Sequence, residues 1–192
     1  MVSRIIAGSL ASRRFATPNG TTTRPTTDRV RESVFAQLAS TLGQSAADPS
    51  QQLTGLRFLD LYAGSGGVGL EAYSRGAEVT WVDKATSRLI SSNLKALSVQ
   101  GKVVGSDIMK YLTKPAEPFD IIWMDPPYEV RNSHIEKILG ILSEKQWINS
   151  GGLVLIERPG HSSAVEFPES FLNVRSRRLG DTVVYFTEKG NM

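Results

Sequence analysis

Residues 58–72 read FLDLYAGSGGVGLEA, an apolar run that breaks into a glycine-rich loop and passes at once into a helix-forming stretch. Gly64, Gly66 and Gly69 match G-x-G-x-x-G between strand and helix, and Asp83 ends the next apolar run, 19 residues after Gly64. Glycines let the backbone turn tightly and approach a ligand, and a carboxylate one strand over can accept hydrogen bonds from both ribose hydroxyls. A cofactor containing adenosine is expected. NAD, FAD and S-adenosylmethionine sites share this layout, and the glycines do not choose between them.

Outward from this loop the chain alternates. Strands are expected at 57–62, 78–82, 102–105, 119–123 and 152–157, with helices at 67–75, 86–97 and 133–142 and a helical turn around Met109. Five apolar strands separated by amphipathic helices indicate βαβ units and a parallel sheet covered on both faces. The end differs: 171–178 and 182–188 flank Gly180-Asp181, the signature of an antiparallel hairpin added to one edge. The expected fold class is therefore α/β, with a seven-stranded, mostly parallel sheet. Upstream, SRIIAG and RRFATP read as a small basic hairpin. Thr27 or Asp28 can cap a helix that buries Val30, Val34, Phe35 and Leu38, and 43–55 reads as a polar loop. The expected division is a basic hairpin and arm over 1–26 and a main domain over 27–192.

The formal charge of +3 over 192 residues conceals an asymmetry. Residues 1–31 hold Arg4, Arg13, Arg14, Arg24, Arg29 and Arg31 against the single acid Asp28, a balance of +5, so the other 161 residues sum to −2. Arginines without a single lysine favour bidentate phosphate contacts, and a polyanionic partner is expected. Arg29 and Arg31 also fall in a helix's first turn, where the dipole disfavours cations, which points to a ligand. Arg175, Arg177 and Arg178 form a second basic patch. The absence of cysteine excludes disulfide scaffolds, thiolate metal sites and cysteine nucleophiles, and two histidines, His134 and His161, leave little for a metal. They are expected at the surface, and no metal is expected. With no signal-peptide core and no apolar run of about 18 residues, a soluble, cytoplasmic protein with no membrane partner is expected.

Two further acids favour S-adenosylmethionine. Asp60, four residues before Gly64, is placed near a methionine ammonium, and Asp107 ends the third strand, where its carboxylate can accept from an adenine amino group. After the apolar strand FDIIWM comes Asp125-Pro126-Pro127-Tyr128. Successive prolines stiffen the loop so that the Pro126 carbonyl and the Asp125 carboxylate form two acceptors for a conjugated NH2 group, and Tyr128 offers a face for stacking a base. Trp81 and Trp123 sit in strand patterns and are expected in the core.

FLDLYAGSGGVG with DPPY resembles motifs I and IV of class I S-adenosylmethionine-dependent amino-methyltransferases, whose fold is Rossmann-like. More narrowly, RIIAG, RPTTDRVRESVF, GLEAYSRGA and GDTVVYF resemble the bacterial small-subunit rRNA guanine-N2 methyltransferases of the RsmD type, over essentially the whole chain. The resemblance implies methylation of a guanine N2 in 16S rRNA, within an assembled or nearly assembled 30S particle, by a monomer. It implies cofactor contacts from Asp60, Tyr62, Gly64, Ser65, Gly66, Gly69, Asp83, Lys84, Asp107 and Ile108. Catalytic contacts would come from Asp125, Pro126, Pro127 and Tyr128, with Asp125 in its ordinary ionised form. The second-strand acid is often Glu in such proteins; Asp83 is shorter but keeps both acceptors. The target base must be unpaired or flipped out, and the arm would grip neighbouring phosphates. The rival readings are an adenine-N6 methyltransferase on DNA or RNA, a nicotinamide-dependent oxidoreductase, which would leave DPPY unexplained, and an assembly factor without turnover.

Overall fold

The computed structural model describes residues 1–18 and 26–191; Arg24 lies outside the described residues. A hairpin of β1 (Val2–Arg4) and β2 (Arg14–Ala16) precedes α1 (Asp28–Thr41). The main body runs β3 (Arg57–Leu61), α2 (Gly67–Ser74), β4 (Glu78–Val82), α3 (Ser87–Leu97), β5 (Lys102–Val104), α4 (Ile108–Tyr111), β6 (Phe119–Met124) and α5 (Asn132–Glu144). It ends with β7 (Ile148–Pro159), β8 (Phe171–Leu179) and β9 (Thr182–Lys189). Seven strands form one sheet in the order β5-β4-β3-β6-β7-β9-β8. β3 to β7 are parallel, and β9 enters antiparallel between β7 and β8. This is the expected Rossmann-like sheet with its terminal hairpin.

The central strands are apolar without alternation because both faces are covered. On one face Phe58, Trp81, Trp123, Leu155 and Val184 pack with α1, α2, α3 and the N-terminal hairpin. On the other, Leu59, Leu61, Ile122, Met124 and Ile156 pack with α4 and α5. Each such aliphatic side chain, fully buried, contributes about 1.5–3 kcal/mol. Trp81 and Trp123 are both buried, as their strand positions predict. The sheet order reverses between β3 and β6, so their C-terminal ends diverge and open a crevice there.

The hairpin is docked on the body. Its strands span only three residues each, and the connection between them lies against α2. The Ile6 and Ala7 amides donate to the two carboxylate oxygens of Glu71 at 2.7 and 3.1 Å, and Leu10 N donates to Ser74 Oγ at 2.9 Å. Glu71 is fully buried and also accepts from Arg75 Nε at 3.0 Å. Arg75 in turn reaches Gln52 Oε1 at 2.6 Å, and the Leu53 amide donates to the Arg75 carbonyl. The loop 43–55 is thus pinned through buried Leu53 and holds a short 3-10 turn at Pro49–Gln51. GLEAYSRGA, one of the blocks that carries the family resemblance, is the stretch that fastens both appended segments to α2.

Candidate active site

A cavity of about 320 Å³, within the usual range for ligand sites, opens at the C-terminal ends of β3, β4, β5 and β6. It gathers Asp60, Tyr62, Gly64, Ser65, Asp83, Lys84, Asp107 and Ile108, and brings Asp125, Pro126, Pro127 and Tyr128 to the same space. Gly66 and Gly69 are not among its walls; Gly67 and Val68 take their place. Gly66 holds the left-handed conformation (φ 84°) that starts α2, and its carbonyl accepts from Trp81 Nε1 at 3.2 Å. Gly69 lies against the Trp81 indole, leaving no room for a side chain. These two glycines shape the loop and seat the helix on the sheet, and only Gly64 of the three faces the ligand space.

Each acid is held by backbone donors. Asp83 Oδ2 accepts from Gly64 N at 3.0 Å, and Oδ1 accepts from Ala85 N and Thr86 N, both at 2.8 Å. That carboxylate ties the loops after β3 and β4 together, and Oδ2, with a single donor, keeps a second lone pair for a ligand. Asp107 caps α4, its Oδ1 accepting from Met109 N and Lys110 N. Asp60 is 1% exposed; its Oδ2 accepts from Gly69 N at 2.9 Å. Burial pushes its carboxyl up to about 8, against the Gly69 hydrogen bond and with help from the negative charge of Asp83. A buried acid with a single N–H partner on the wall of a cavity fits an ammonium group of a ligand and opposes a pyrophosphate.

Asp125 departs from the ordinary ionised carboxylate expected of it. Its carboxyl is raised well above the usual range, first by burial and then by Glu157 and Asp60, while a hydrogen bond from Thr26 and the charge of Arg158 pull it down. Thr26 Oγ1 donates to Asp125 Oδ2 at 3.0 Å. Sequence reasoning does not find Thr26: in the RPTT block the threonines read as loop residues and as the cap Thr27, which does cap α1 by accepting from Val30 N. Arg158 was missed as well. It is 4% exposed, and its Nη2 donates to the Val130 carbonyl at 2.7 Å, bracing the end of the loop that carries Pro126 to Tyr128. Tyr128 is 58% exposed, with its ring at the cavity mouth.

The arm arginines divide. Arg13, Arg14 and Arg29 are exposed, as expected of a basic surface. Arg4 is exposed but paired with Asp28 at 3.2 Å. Arg31 corrects the expectation of a surface cation: it is 2% exposed, and its Nη2 donates to Ser3 Oγ, the Arg4 carbonyl and Asp28 Oδ1. With its guanidinium over the Phe15 ring, it pins the hairpin to α1. Its place in the first turn is compensated by Asp28, and it also forms part of the cavity wall.

The family model described as Conserved hypothetical protein 95 matches residues 3–188. The chain belongs to this family. Among curated relatives, Ribosomal RNA small subunit methyltransferase D of Escherichia coli (strain K12) is 34% identical over 181 residues, covering 92% of this chain and 85% of that protein. The putative rRNA methyltransferase YlbH of Bacillus subtilis (strain 168) is 35% identical over 175 residues, covering 87% and 86%. Among solved structures, the putative methyltransferase yhhF from Escherichia coli matches with a TM-score of 0.83 at 29% identity over the whole of both chains. The family's match spans the N-terminal hairpin, the glycine loop and the DPPY loop together.

Proposed function

We propose that this protein transfers a methyl group from S-adenosylmethionine to the exocyclic N2 of a guanine in 16S rRNA, acting on an assembled or nearly assembled 30S particle. The observation that carries the reading is one cavity holding both halves of the chemistry: Asp60, Asp83 and Asp107 around the glycine loop, and Asp125 to Tyr128 facing them. Membership in a family whose relatives include Ribosomal RNA small subunit methyltransferase D supplies the substrate class.

Asp60 would face the methionyl ammonium, Asp83 the ribose hydroxyls, and the free oxygen of Asp107 the adenine amino group. When bound, S-adenosylmethionine supplies a methyl group activated by its sulfonium. Asp125 Oδ1 and the Pro126 carbonyl accept the two amino hydrogens of the base, which turns the nitrogen lone pair out of conjugation and toward that methyl. Tyr128 stacks on the base, worth about 1–3 kcal/mol. The C–N bond would form as the methyl–sulfur bond breaks, with S-adenosylhomocysteine the leaving group, and Asp125 would take the proton of the nitrogen, made strongly acidic by methylation. A carboxyl raised above the ordinary range is a better acceptor for it, provided that it is ionised at the start. The protein's contribution is orientation and electrostatics, since the methyl arrives already activated.

The test is transfer of tritiated methyl to purified 30S particles, naked 16S rRNA and DNA, followed by nucleoside analysis. N2-methylguanine from 30S is the expected product; label recovered as N6-methyladenine, or in DNA, overturns the reading. Asp125→Ala should lower the rate by about 10³-fold or more while cofactor affinity stays within about threefold.

A further inference from the structure

A second concavity lies beside the site, between α1 and the outer strands β9 and β8. Its volume is about 430 Å³, and Gln37 and Thr41 form one wall while Arg175 and Arg177 form the other. Residues 172–178 of β8 are all exposed, because α1 covers Leu155 and Val184 but stops short of this edge strand. Three cations fall in that run, and they are not equivalent. Arg178 is engaged, donating to the Gly160 carbonyl at 3.2 Å and to the Gly180 carbonyl at 3.3 Å. Arg175 and Arg177 have neither ion pair nor hydrogen bond to any described side chain. The only acid among the described lining residues, Glu188, accepts from Asn173.

The sheet register relates this groove to the methyl-transfer site. Met124 lies beside Ile156, so Asp125 follows beside Glu157; Glu157 pairs with Val184, and Val184 pairs with Arg177. Asp125, Glu157, Val184 and Arg177 therefore form one row across the C-terminal edge, and the alternation of the strands puts them on the same face, the face that α1 covers. Three strand spacings separate Asp125 from Arg177, roughly 14 Å. Arg175, paired with Phe186, is the next residue on that face, about 7 Å further from the edge. The two guanidinium groups thus start at the level of the catalytic loop and lead away from it down the groove.

We infer that Arg175 and Arg177 form a track for the single-stranded RNA backbone flanking the target nucleotide, with Gln37 and Thr41 of α1 as its opposite wall. This rests on the guanine methyl-transfer reading above and adds where the rest of the substrate runs. A base placed on Tyr128 must be drawn out of its helix, and its neighbours must leave the site across protein surface. The body is acidic overall, so that surface needs cations not already neutralised from within. Arg175 and Arg177 meet this need, whereas Arg178 is spent on two carbonyls. Two arginines on one strand face, one pleat repeat apart, match the order of separation between successive phosphates, and a guanidinium binds phosphate in two-point fashion. Arginines also guard edge strands against pairing with another chain. That role would be served equally from either face of the strand, whereas both lie on the face that forms the groove.

The test measures binding of a 16S rRNA fragment across a salt series, together with steady-state methyl transfer to 30S particles, for R175Q/R177Q and R175K/R177K. R175Q/R177Q is expected to raise the KM for 30S about tenfold, to leave cofactor affinity and kcat within about twofold, and to reduce the salt slope by about 1.4, or about 0.7 per phosphate contact. R175K/R177K should keep most of the slope and lose part of the affinity. Single variants R175Q and R177Q, each expected to remove about 0.7, keep the test decisive if the double variant does not fold. An unchanged salt slope and KM in well-folded, monodisperse variants overturns the track. A wild-type protein that binds RNA with an arginine-dependent slope but methylates no guanine would overturn the methyl-transfer reading instead and leave the track standing.

Discussion

The hydroxyl of Thr26 donates to Oδ2 of Asp125 at 3.0 Å, so the chain that leads from the N-terminal hairpin into α1 touches the carboxylate at the centre of the DPPY loop. Of the influences on Asp125, burial is the largest and raises its pKa; the Thr26 hydrogen bond opposes it, as does the nearby Arg158 guanidinium, while Glu157 and Asp60 add to the rise.

Removing that donor should raise the Asp125 pKa further. If transfer requires the ionised carboxylate, the acidic limb of the pH–rate profile moves to higher pH in Thr26→Val and stays near the wild type in Thr26→Ser. A hydrogen bond to a charged group is worth about 1.5–3 kcal/mol, so kcat near neutral pH should fall by about tenfold or more in Thr26→Val. Single-turnover methyl transfer between pH 5.5 and 9 measures this; coincident profiles for wild type and Thr26→Val would show that the hydroxyl is only structural.

Asp60 carries a different pH dependence. Its folded pKa of about 8 stands above its ordinary value of 3.8. The folded state therefore binds this proton more tightly than the unfolded chain does. Its contribution to stability is fully present below about pH 4 and is lost as pH rises through 8. Asp60→Asn, which keeps an acceptor for the Gly69 amide, should flatten the decline in melting temperature between pH 5 and 9. A cationic ammonium beside Asp60 would expel the proton, so calorimetry in two buffers near pH 7 should show proton release on S-adenosylmethionine binding in the wild type and none in Asp60→Asn.

The buried and exposed arginines of the arm should separate cleanly. Arg31→Ala removes three hydrogen bonds from an enclosed site and leaves Asp28 and the Arg4 carbonyl short of a donor. A loss of about 3 kcal/mol, or roughly 6–12 °C in melting temperature, is expected. Replacing Arg13, Arg14 and Arg29 with alanine should leave the melting temperature within about 2 °C and reduce the salt dependence of RNA binding. Thermal unfolding and filter binding on the two variants give the comparison; a salt slope that falls only with Arg31→Ala would reverse the assignment.

Gly69→Ala tests the glycine loop itself. A methyl group there would collide with the Trp81 indole, which is fully buried and bonded to the Gly66 carbonyl. Overpacking at such a site costs about 1–3 kcal/mol, so the melting temperature should fall by several degrees, and any loss of cofactor affinity should follow from displacement of α2 rather than from a lost contact. Thermal unfolding with and without cofactor distinguishes the two: a fully stable Gly69→Ala that cannot bind would return Gly69 to the ligand.

The alternating sheet was legible because apolar runs of strand length between amphipathic helices leave one economical architecture, and the boundaries of β4 and α2 fall within a residue of where periodicity puts them. DPPY, Asp60 near the end of β3 and the acids after β4 and β5 were legible for a related reason: ligands of open α/β sheets bind at strand C-termini, and position along the chain is enough to find those ends. Gly66 and Gly69 were legible as glycines and not as to role, since a helix that needs to approach a tryptophan and a loop that needs to approach a ligand ask for the same residue.

By itself the sequence determined which strands are buried on both faces, where the chain reverses at Gly180-Asp181, and which acids stand at the strand ends, because each of these follows from local composition and period. What only the tertiary structure decided is which charges remain available. Arg31 and Arg29 are two residues apart in one helical turn, yet one is buried against Ser3, Arg4 and Asp28 at the cavity wall while the other faces solvent. Thr26 and Asp125, 99 residues apart, share a proton donor and its acceptor. Charge is a property of a residue, but whether it is spent on a neighbour or left for a substrate depends on desolvation and on partners that meet only when the sheet closes.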